Sequence, residues 1–341
     1  MNTSILPKKS PGPLGKVKFP TGSPQIAALI IVLLVNSMVA DNFFSIELQD
    51  GRLFGSLIDI LNRCAPVALL SIGMTLVIAT GGIDLSVGAV MAISGATMAS
   101  LVRGGEYSLE MILLISVASG VLCGLWNGFL VAILKIQPFV ATLILMVAGR
   151  GVAQLITEGQ IVTFSNSAIS WIGSGSFLYL PTPVVITIIA AILIWLLTKK
   201  TALGLFIESV GINIRAAKNA GVNTTVIVLS TYVISGLMAA IAGIIVAADI
   251  KGADANNAGL WLEMDAILAV VIGGTSLMGG RFNLFLAIIG TLIIQGVNTG
   301  ILLSGYQPQW NQIVKAVVVL TVLVMQSPAL LQKFKRGNHH D

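Results

Sequence analysis

The sequence predicts an all-α polytopic membrane helix bundle of about ten transmembrane helices. Three observations carry that prediction. Charged residues are 10% of the 341, hydrophobic residues 56%, and the mean hydropathy is +0.96, whereas a soluble domain holds about 25% charged residues. The apolar residues fall into runs close to the ~20 residues that cross a bilayer core as a helix. The basic residues lie between those runs and favour alternate connections, as membrane topology requires.

The runs cover 23–41, 64–81, 84–102, 109–134, 138–157, 181–198, 225–248, 262–279, 283–304 and 310–327. Residues 1–24 read as a cytoplasmic arm with Lys8, Lys9, Lys16 and Lys18, 25–327 as the transmembrane domain, and 328–341 as a cytoplasmic tail. With the N-terminus inside, inner segments add Lys135, Lys199, Lys200, Arg215, Lys218, Arg281, Lys333, Lys335 and Arg336 to those four lysines. Outer segments carry only Arg52, Arg63, Arg103 and Lys251. Thirteen against four is a positive-inside bias, with both termini cytoplasmic. The net charge of +5 is accounted for by that bias, so no nucleic-acid partner is expected. Cys64 and Cys123 give no disulfide framework, and the two histidines, His339 and His340, sit in the tail, so no metal site is expected.

Within the first span, 23–41, Ile26 to Ala40 resembles a signal-peptide core, but no small-x-small site follows, so it reads as an uncleaved span. The second and third flank "ATGGIDLSVGAV" (79–90), where Asp84 is the one charge between Arg63 and Arg103. An unpaired carboxylate is costly in hydrocarbon. Steps of four from Asp84 reach Gly88, Ala92, Ala96 and Ser100, so Asp84 lies on a small-residue face turned into the bundle. Gly81 and Gly82 break the helix before it, which puts Asp84 where an N-cap belongs. Pro66 to Leu101 is 36 residues, fewer than two full crossings of about 20 each plus a turn. The turn is therefore a capped cytoplasmic surface turn, a gate or pathway element in a helix broken at depth, or a direct substrate contact.

In the fourth span Gly120, Gly124 and Gly128 recur every four residues, as do Ser235, Ala239 and Gly243 in the seventh. Both stripes allow close helix packing. The fifth span holds Arg150 between two glycines. It either reaches the outer interface or forms an ion pair inside the bundle, with Asp265 as the candidate. The sixth span ends at Lys199 and Lys200, and the cytoplasmic loop 199–225 follows. There Asn213 reads as an N-cap, Ile214–Ala220 as a two-turn helix and Gly221 as its C′ residue, with Lys218 in the last turn. A wheel extended back to Glu208 groups Glu208, Arg215 and Asn219 on one side and Val210, Ile214 and Ala217 on the other. Such a helix suits docking on a partner, or else rests on the headgroups. No G-x-x-x-x-G-K-[ST] loop occurs, so ATP hydrolysis by that route is excluded. No His, Cys and carboxylate constellation supports catalysis, and the spans lack the chain of ionisable groups of a proton-coupled carrier.

"GMTLVIATGGIDLSVGAVMAISGA" (73–96), "LWNGFLVAILKIQPFVATLILMVAGRGVA" (125–153), "ESVGINIRAAKNAGVN" (208–223) and "EMDAILAVVIGGTSLMGGRF" (263–282) resemble blocks of the ribose-type sugar ABC-importer permeases. The resemblance spans about residues 55–325 and is nearest to permeases of Gram-negative galactofuranose importers. It implies a type II ABC-importer-like permease of the bacterial inner membrane, not itself an enzyme. The implied partners are a second permease subunit, homologous or identical, a periplasmic sugar-binding protein, and a cytoplasmic ATPase that uses the ATP and Mg. Membrane lipid surrounds the assembly, and no cofactor is bound by this chain. The implied coupling helix carries Glu208, Gly211, Asn213, Arg215, Ala216, Lys218 and Gly221. Asp84, Ser86, Asn127, Thr142, Thr275, Ser276 and Asn298 are the candidates for a weakly polar path or gate, and Gly81, Gly82, Gly88, Gly120, Gly124, Gly128, Arg150, Gly273 and Gly274 are structural. Alternative cargoes are ribose, xylose, galactose, autoinducer sugars and nucleosides. An ion-coupled secondary transporter is the more distant alternative.

Overall fold

A computed structural model describes residues 22–49, 51–307 and 309–326. The N-terminal lysines and the 328–341 tail, with Lys333, Lys335, Arg336 and both histidines, lie outside the described residues. Inner and outer below denote the ends that the charge bias assigns.

Thirteen α-helices are present among the described residues: α1 (Ser23–Val39), α2 (Ser56–Ala79), α3 (Val87–Gly104), α4 (Leu109–Gly128), α5 (Pro138–Ile156), α6 (Ser167–Ser174), α7 (Thr182–Lys200), α8 (Leu203–Ile212), α9 (Ile214–Asn219), α10 (Thr224–Asp249), α11 (Leu262–Ile272), α12 (Leu284–Leu303) and α13 (Trp310–Gln326). A π-helical turn, Phe129–Ile133, extends α4. Each of the ten apolar runs overlaps one of these helices, although α2 begins eight residues before its run, and seven are long and apolar enough to cross a membrane.

The eighth run departs from expectation. Its helix stops at Ile272 and not near residue 279. Eleven residues rise only about 16 Å, half a bilayer core. The chain turns at Gly274 (φ +84°), then at Gly279 (φ +85°) and Gly280 (φ +101°), and 273–283 continues to the inner side without helix. Non-helical backbone at such a position must be covered by protein, and other segments of the chain provide that cover, as shown below.

Three short strand pairs also interrupt the all-α pattern in connections on the outer side: two hairpins and one pairing between distant connections. Glu47–Gln49 pairs with Arg52–Phe54 (Leu48 opposite Leu53), Val162–Thr163 with Gly252–Ala253, and Ser176–Phe177 with Leu180–Pro181, all antiparallel.

The core is built on α2 and α10. Every residue of α2 from Cys64 to Ala79 is buried. α10 meets α4, α2 and α3 on three faces, and small residues set the spacing. A Cβ on Gly120 would stand 2.7 Å from the Gly236 carbonyl, one on Gly73 2.8 Å from Ser235 Cα, and one on Gly243 against the Met91 carbonyl. The two stripes read from the sequence therefore pack at α10, where backbone-to-backbone approach maximises dispersion contact. α1, α4, α5, α7 and α13 keep broad apolar faces exposed, including Met38, Leu122, Leu155, Leu193 and Leu320. Those faces suit lipid or another apolar protein surface.

Candidate functional site

The seven residues between α2 and α3, 80–86, form the centre of the site. Gly81 turns the chain with φ +82°. Asp84 follows and is 2% exposed. Its Oδ1 accepts from Ser86 Oγ (2.6 Å), Ser86 N (3.1 Å) and Asn127 Nδ2 (3.4 Å), and its Oδ2 accepts from Ser235 Oγ (2.8 Å). Asn127 Nδ2 also donates to Ser86 Oγ at 2.8 Å. Thr142 Oγ1 donates to the Ile83 carbonyl at 3.2 Å. The 80–86 turn, α4, α5 and α10 are thus tied together around one carboxylate. No cation pairs with it among the described residues. Charge-assisted hydrogen bonds, each stronger than a neutral one, hold the carboxylate instead.

The expectation that Asp84 is the N-cap of the third span is corrected. That helix starts at Val87 with Ser86 at the cap position. Asp84 lies two residues earlier, and its bond to the Ser86 N–H is a local turn.

The turn is covered at its inner side by two other segments. Gly280 N donates to the Ala79 carbonyl at 2.9 Å. A Cβ on Gly211 would overlap that carbonyl oxygen and stand 2.5 Å from Gly280 N. A Cβ on Gly279 would lie 2.9 Å from Gly81 N. Three glycine-bearing segments, 79–82, 211 and 279–280, therefore meet with less clearance than one methyl group. This contact joins the 199–225 loop, the Asp84 turn and the half-helix segment in one place.

In the loop, Asn213 Oδ1 accepts from Arg215 N and Ala216 N, each at 3.0 Å, and so caps α9 as expected. Gly221 has φ +86°, and Val222 N reaches back to the Ala217 carbonyl at 3.1 Å, which closes the helix. The continuous wheel from Glu208 is corrected. Asn213 is extended, φ −160°, so α8 and α9 are separate helices. Val210 and Ala217 are buried, but Ile214 is 47% exposed rather than sharing their face. Arg215, Ala216, Lys218 and Asn219 are exposed, and Glu208 is half-buried. Ile212 (71%) and Met278 (88%) stand beside them as exposed apolar side chains.

The other candidates do not join the Asp84 group. Thr275 is buried, and its hydroxyl has no partner. Ser276 Oγ accepts from Met278 N at 3.2 Å and shapes the turn. Gly273 packs against the Ala287 backbone, where a Cβ would stand 2.7 Å from N, and Gly274 needs its positive φ. Gly88 faces the Gly259 carbonyl, Gly82 the Tyr232 hydroxyl, Gly124 the Tyr232 carbonyl and Gly128 Leu229. Asn298 lies on the outer half of α12 and donates to Gln295 Oε1 at 3.3 Å.

Arg150 does not pair with Asp265. Its Nη1 donates to the Ala255 (3.1 Å) and Ala258 (2.5 Å) carbonyls of the outer loop. In that loop the Asn257 side chain, with the Asn256 and Asn257 N–H groups, holds the Asp254 carboxyl below its ordinary pKa. Asp265 instead binds Lys315, whose Nζ lies 2.8 Å and 3.0 Å from its two oxygens.

Sequence reasoning missed Lys315 and Ser235. A cation inside the tenth apolar run was the available signal for the first. Ser235 registered only as a small residue of a packing stripe, and its link to Asp84 spans 151 positions.

Comparison with known proteins adds the lineage. The family model for the branched-chain amino acid transport system / permease component matches residues 56–323. The chain is 70% identical to the galactofuranose transporter permease protein of Escherichia coli K12 over 99% of both chains. It is 40% identical to a fructose import permease of Bifidobacterium longum, over 90% of this chain and 87% of that one. It is 38% identical to the ribose import permease of Escherichia coli K12, over 89% of this chain and 92% of that one. No solved structure matches the chain. A polytopic helix bundle matched by the family model from α2 into α13 and by import permeases along most of its length thus belongs to the branched-chain amino acid transport system / permease component family.

Proposed function

We propose that this chain is the membrane-spanning permease subunit of an ABC importer that moves galactofuranose from the periplasm to the cytoplasm across the bacterial inner membrane. The observation that carries the cargo is the 70% identity to a galactofuranose permease across 99% of both chains, almost twice the identity to the ribose permease. Both termini are cytoplasmic, following the charge bias. A periplasmic binding protein delivers the sugar, a second permease subunit completes the path, and a cytoplasmic ATPase subunit holds the ATP and Mg.

α8 and α9 form the docking element. Exposed Ile212, Ile214 and Met278 give it an apolar centre, and Arg215, Lys218 and Arg281 surround that centre with positive charge. A partner groove with apolar walls and an acidic rim fits this surface. Movement of the docking element reaches the Asp84 turn through Gly211, Ala79 and Gly280. Asp84, Ser86, Asn127 and Thr142 act as a latch on the inner side of the path, with Thr275 and Ser276 in the segment beside it.

The test is uptake of labelled galactose in cells without other galactose importers, with the chain supplied alongside its ATPase and binding protein. Uptake that requires ATP and all components supports the reading. Uptake of ribose or fructose but not galactose would keep the importer and replace the cargo.

A further inference from the structure

A polar cleft lies well apart from the Asp84 turn, between the outer halves of α2, α10, α11 and α12. Its polar lining is Asn62, Arg63, Asp249, Asp265, Gln295 and Asn298. Its volume is 280 Å³, the space of roughly nine waters. Gln295 lies eight residues before the outer end of α12, so the cleft reaches about 12 Å inward from that end. Four of these, Asn62, Asp265, Gln295 and Asn298, are buried or half-buried in an apolar bundle, where polar side chains are costly to keep without a use.

The chemistry of the wall selects a ligand class. Asp265 is neutralised by Lys315. Arg63 and Asp249 offset each other in charge, yet form no ion pair within 4.0 Å, so both keep free hydrogen-bonding capacity. The wall is therefore neutral overall and offers a guanidinium donor, a carboxylate acceptor and amides of both kinds. Asn62 Oδ1 and Asn298 Oδ1 are buried and accept no hydrogen bond. Pro66 has no N–H to give the Asn62 carbonyl four residues back. Several acceptors thus lack donors, and rotation about an amide's soft terminal torsion turns the oxygen toward the cleft. A neutral molecule whose every polar group is both donor and acceptor satisfies such a wall. A monosaccharide is that molecule, and its hydroxyls also bridge Arg63 and Asp249.

We propose that this cleft is a monosaccharide-binding site within a single permease chain, a resting place for the sugar on the outer side of the Asp84 turn. The proposal rests on the sugar-import reading above. Its polar groups come from helices of one protomer.

The test is protection from a membrane-impermeant thiol reagent in the assembled importer in right-side-out vesicles. Leu262→Cys, on the cleft wall, is the reporter in a Cys64→Ser, Cys123→Ala background. Val246→Cys, also on the wall, is a second reporter should the first not insert. The expected result is that D-galactose slows labelling of the reporter and sucrose, which is too large, does not. Asn62→Leu and Asn298→Leu should each raise the protecting concentration roughly threefold to tenfold, the loss of one hydrogen bond. No protection by galactose, ribose or fructose, or protection unchanged in both leucine variants, overturns the cleft. Labelled-sugar uptake by the same vesicles separates the two readings. Uptake without protection sinks the cleft alone, and uptake of none of these sugars sinks the import reading on which it rests.

Discussion

Replacing Asp84 separates the hydrogen-bonding role of its side chain from its charge. Asp84 accepts four hydrogen bonds: two from Ser86, one from Asn127 and one from Ser235. In Asp84→Asn the amide oxygen keeps the Ser86 and Asn127 donors. The new NH₂ faces Ser235, whose hydroxyl turns to accept. The change weakens charge-assisted bonds but removes a buried charge, so the two terms oppose and the net cost is about 1 kcal/mol. Asp84→Leu also removes the charge, but it leaves the donors without an acceptor. The Ser86 N–H loses its acceptor in a buried site, a cost of about 1–3 kcal/mol. The hydroxyls of Ser86 and Ser235 add up to about that much each unless they rotate to nearby backbone carbonyls. The total is about 1–9 kcal/mol, which at its upper end rivals the 5–15 kcal/mol that separates folded from unfolded. The assay is thermal unfolding of the detergent-solubilised permease together with its abundance in the membrane. Asp84→Asn should stay near wild type in both, and Asp84→Leu should unfold at clearly lower temperature and be depleted from the membrane. Equal unfolding temperatures for the two variants would refute the reasoning, because the hydrogen bonds would then contribute nothing.

Three further outcomes follow from the geometry. Gly211→Ala places a methyl where the Ala79 carbonyl stands, and overpacking of this kind costs about 1–3 kcal/mol. Sugar uptake should fall more than membrane abundance, measured on matched amounts of protein. Lys315→Met leaves Asp265 charged and unpaired, which costs about 3–5 kcal/mol, and Lys315→Met combined with Asp265→Leu should recover most of the lost unfolding temperature. Arg215→Glu alters an exposed side chain, so stability should stay within about 0.5 kcal/mol while co-purification with the ATPase subunit drops; unchanged co-purification would remove Arg215 from the docking surface.

The elements legible in the sequence were those with a strong local signal. Long apolar runs located ten helices, and Asn213 and Gly221 marked the ends of α9 through cap chemistry that operates within three residues. The half-length α11 was not legible, because Gly273, Gly274, Leu277 and Met278 keep the run apolar after the helix has stopped. What stops it is a local cap that the apolar pattern hides: Gly274 is left-handed (φ +84°), and Thr275 N reaches back to the Val270 carbonyl at 3.2 Å. The break between α8 and α9 was missed for a related reason: a cap at Asn213 implies a helix start, yet the wheel was run straight through it. The strands are two or three residues long, too short to show a period of two. Asp84 was conspicuous for its charge, but its partners come from α4 and α10, and nothing in a single sequence places residue 235 beside residue 84. Arg150 and Asp265 looked like complementary charges, whereas carbonyls of the 254–259 loop and Lys315 are nearer to each.

The meeting point of Gly211, Ala79 and Gly280 has a mechanical meaning. A joint with less clearance than one methyl group has no backlash. If the loop helices are pushed, the carbonyl of Ala79 cannot lag behind Gly211, and the end of α2 begins to move at the start of the stroke rather than after a dead interval. Glycine gives this joint its precision because it brings backbone against backbone, and backbone is stiffer than any side chain that could stand between. A longer residue at 211 would act as a shim: it would set the lever at a new resting angle before any force was applied, and the whole stroke would begin from the wrong position.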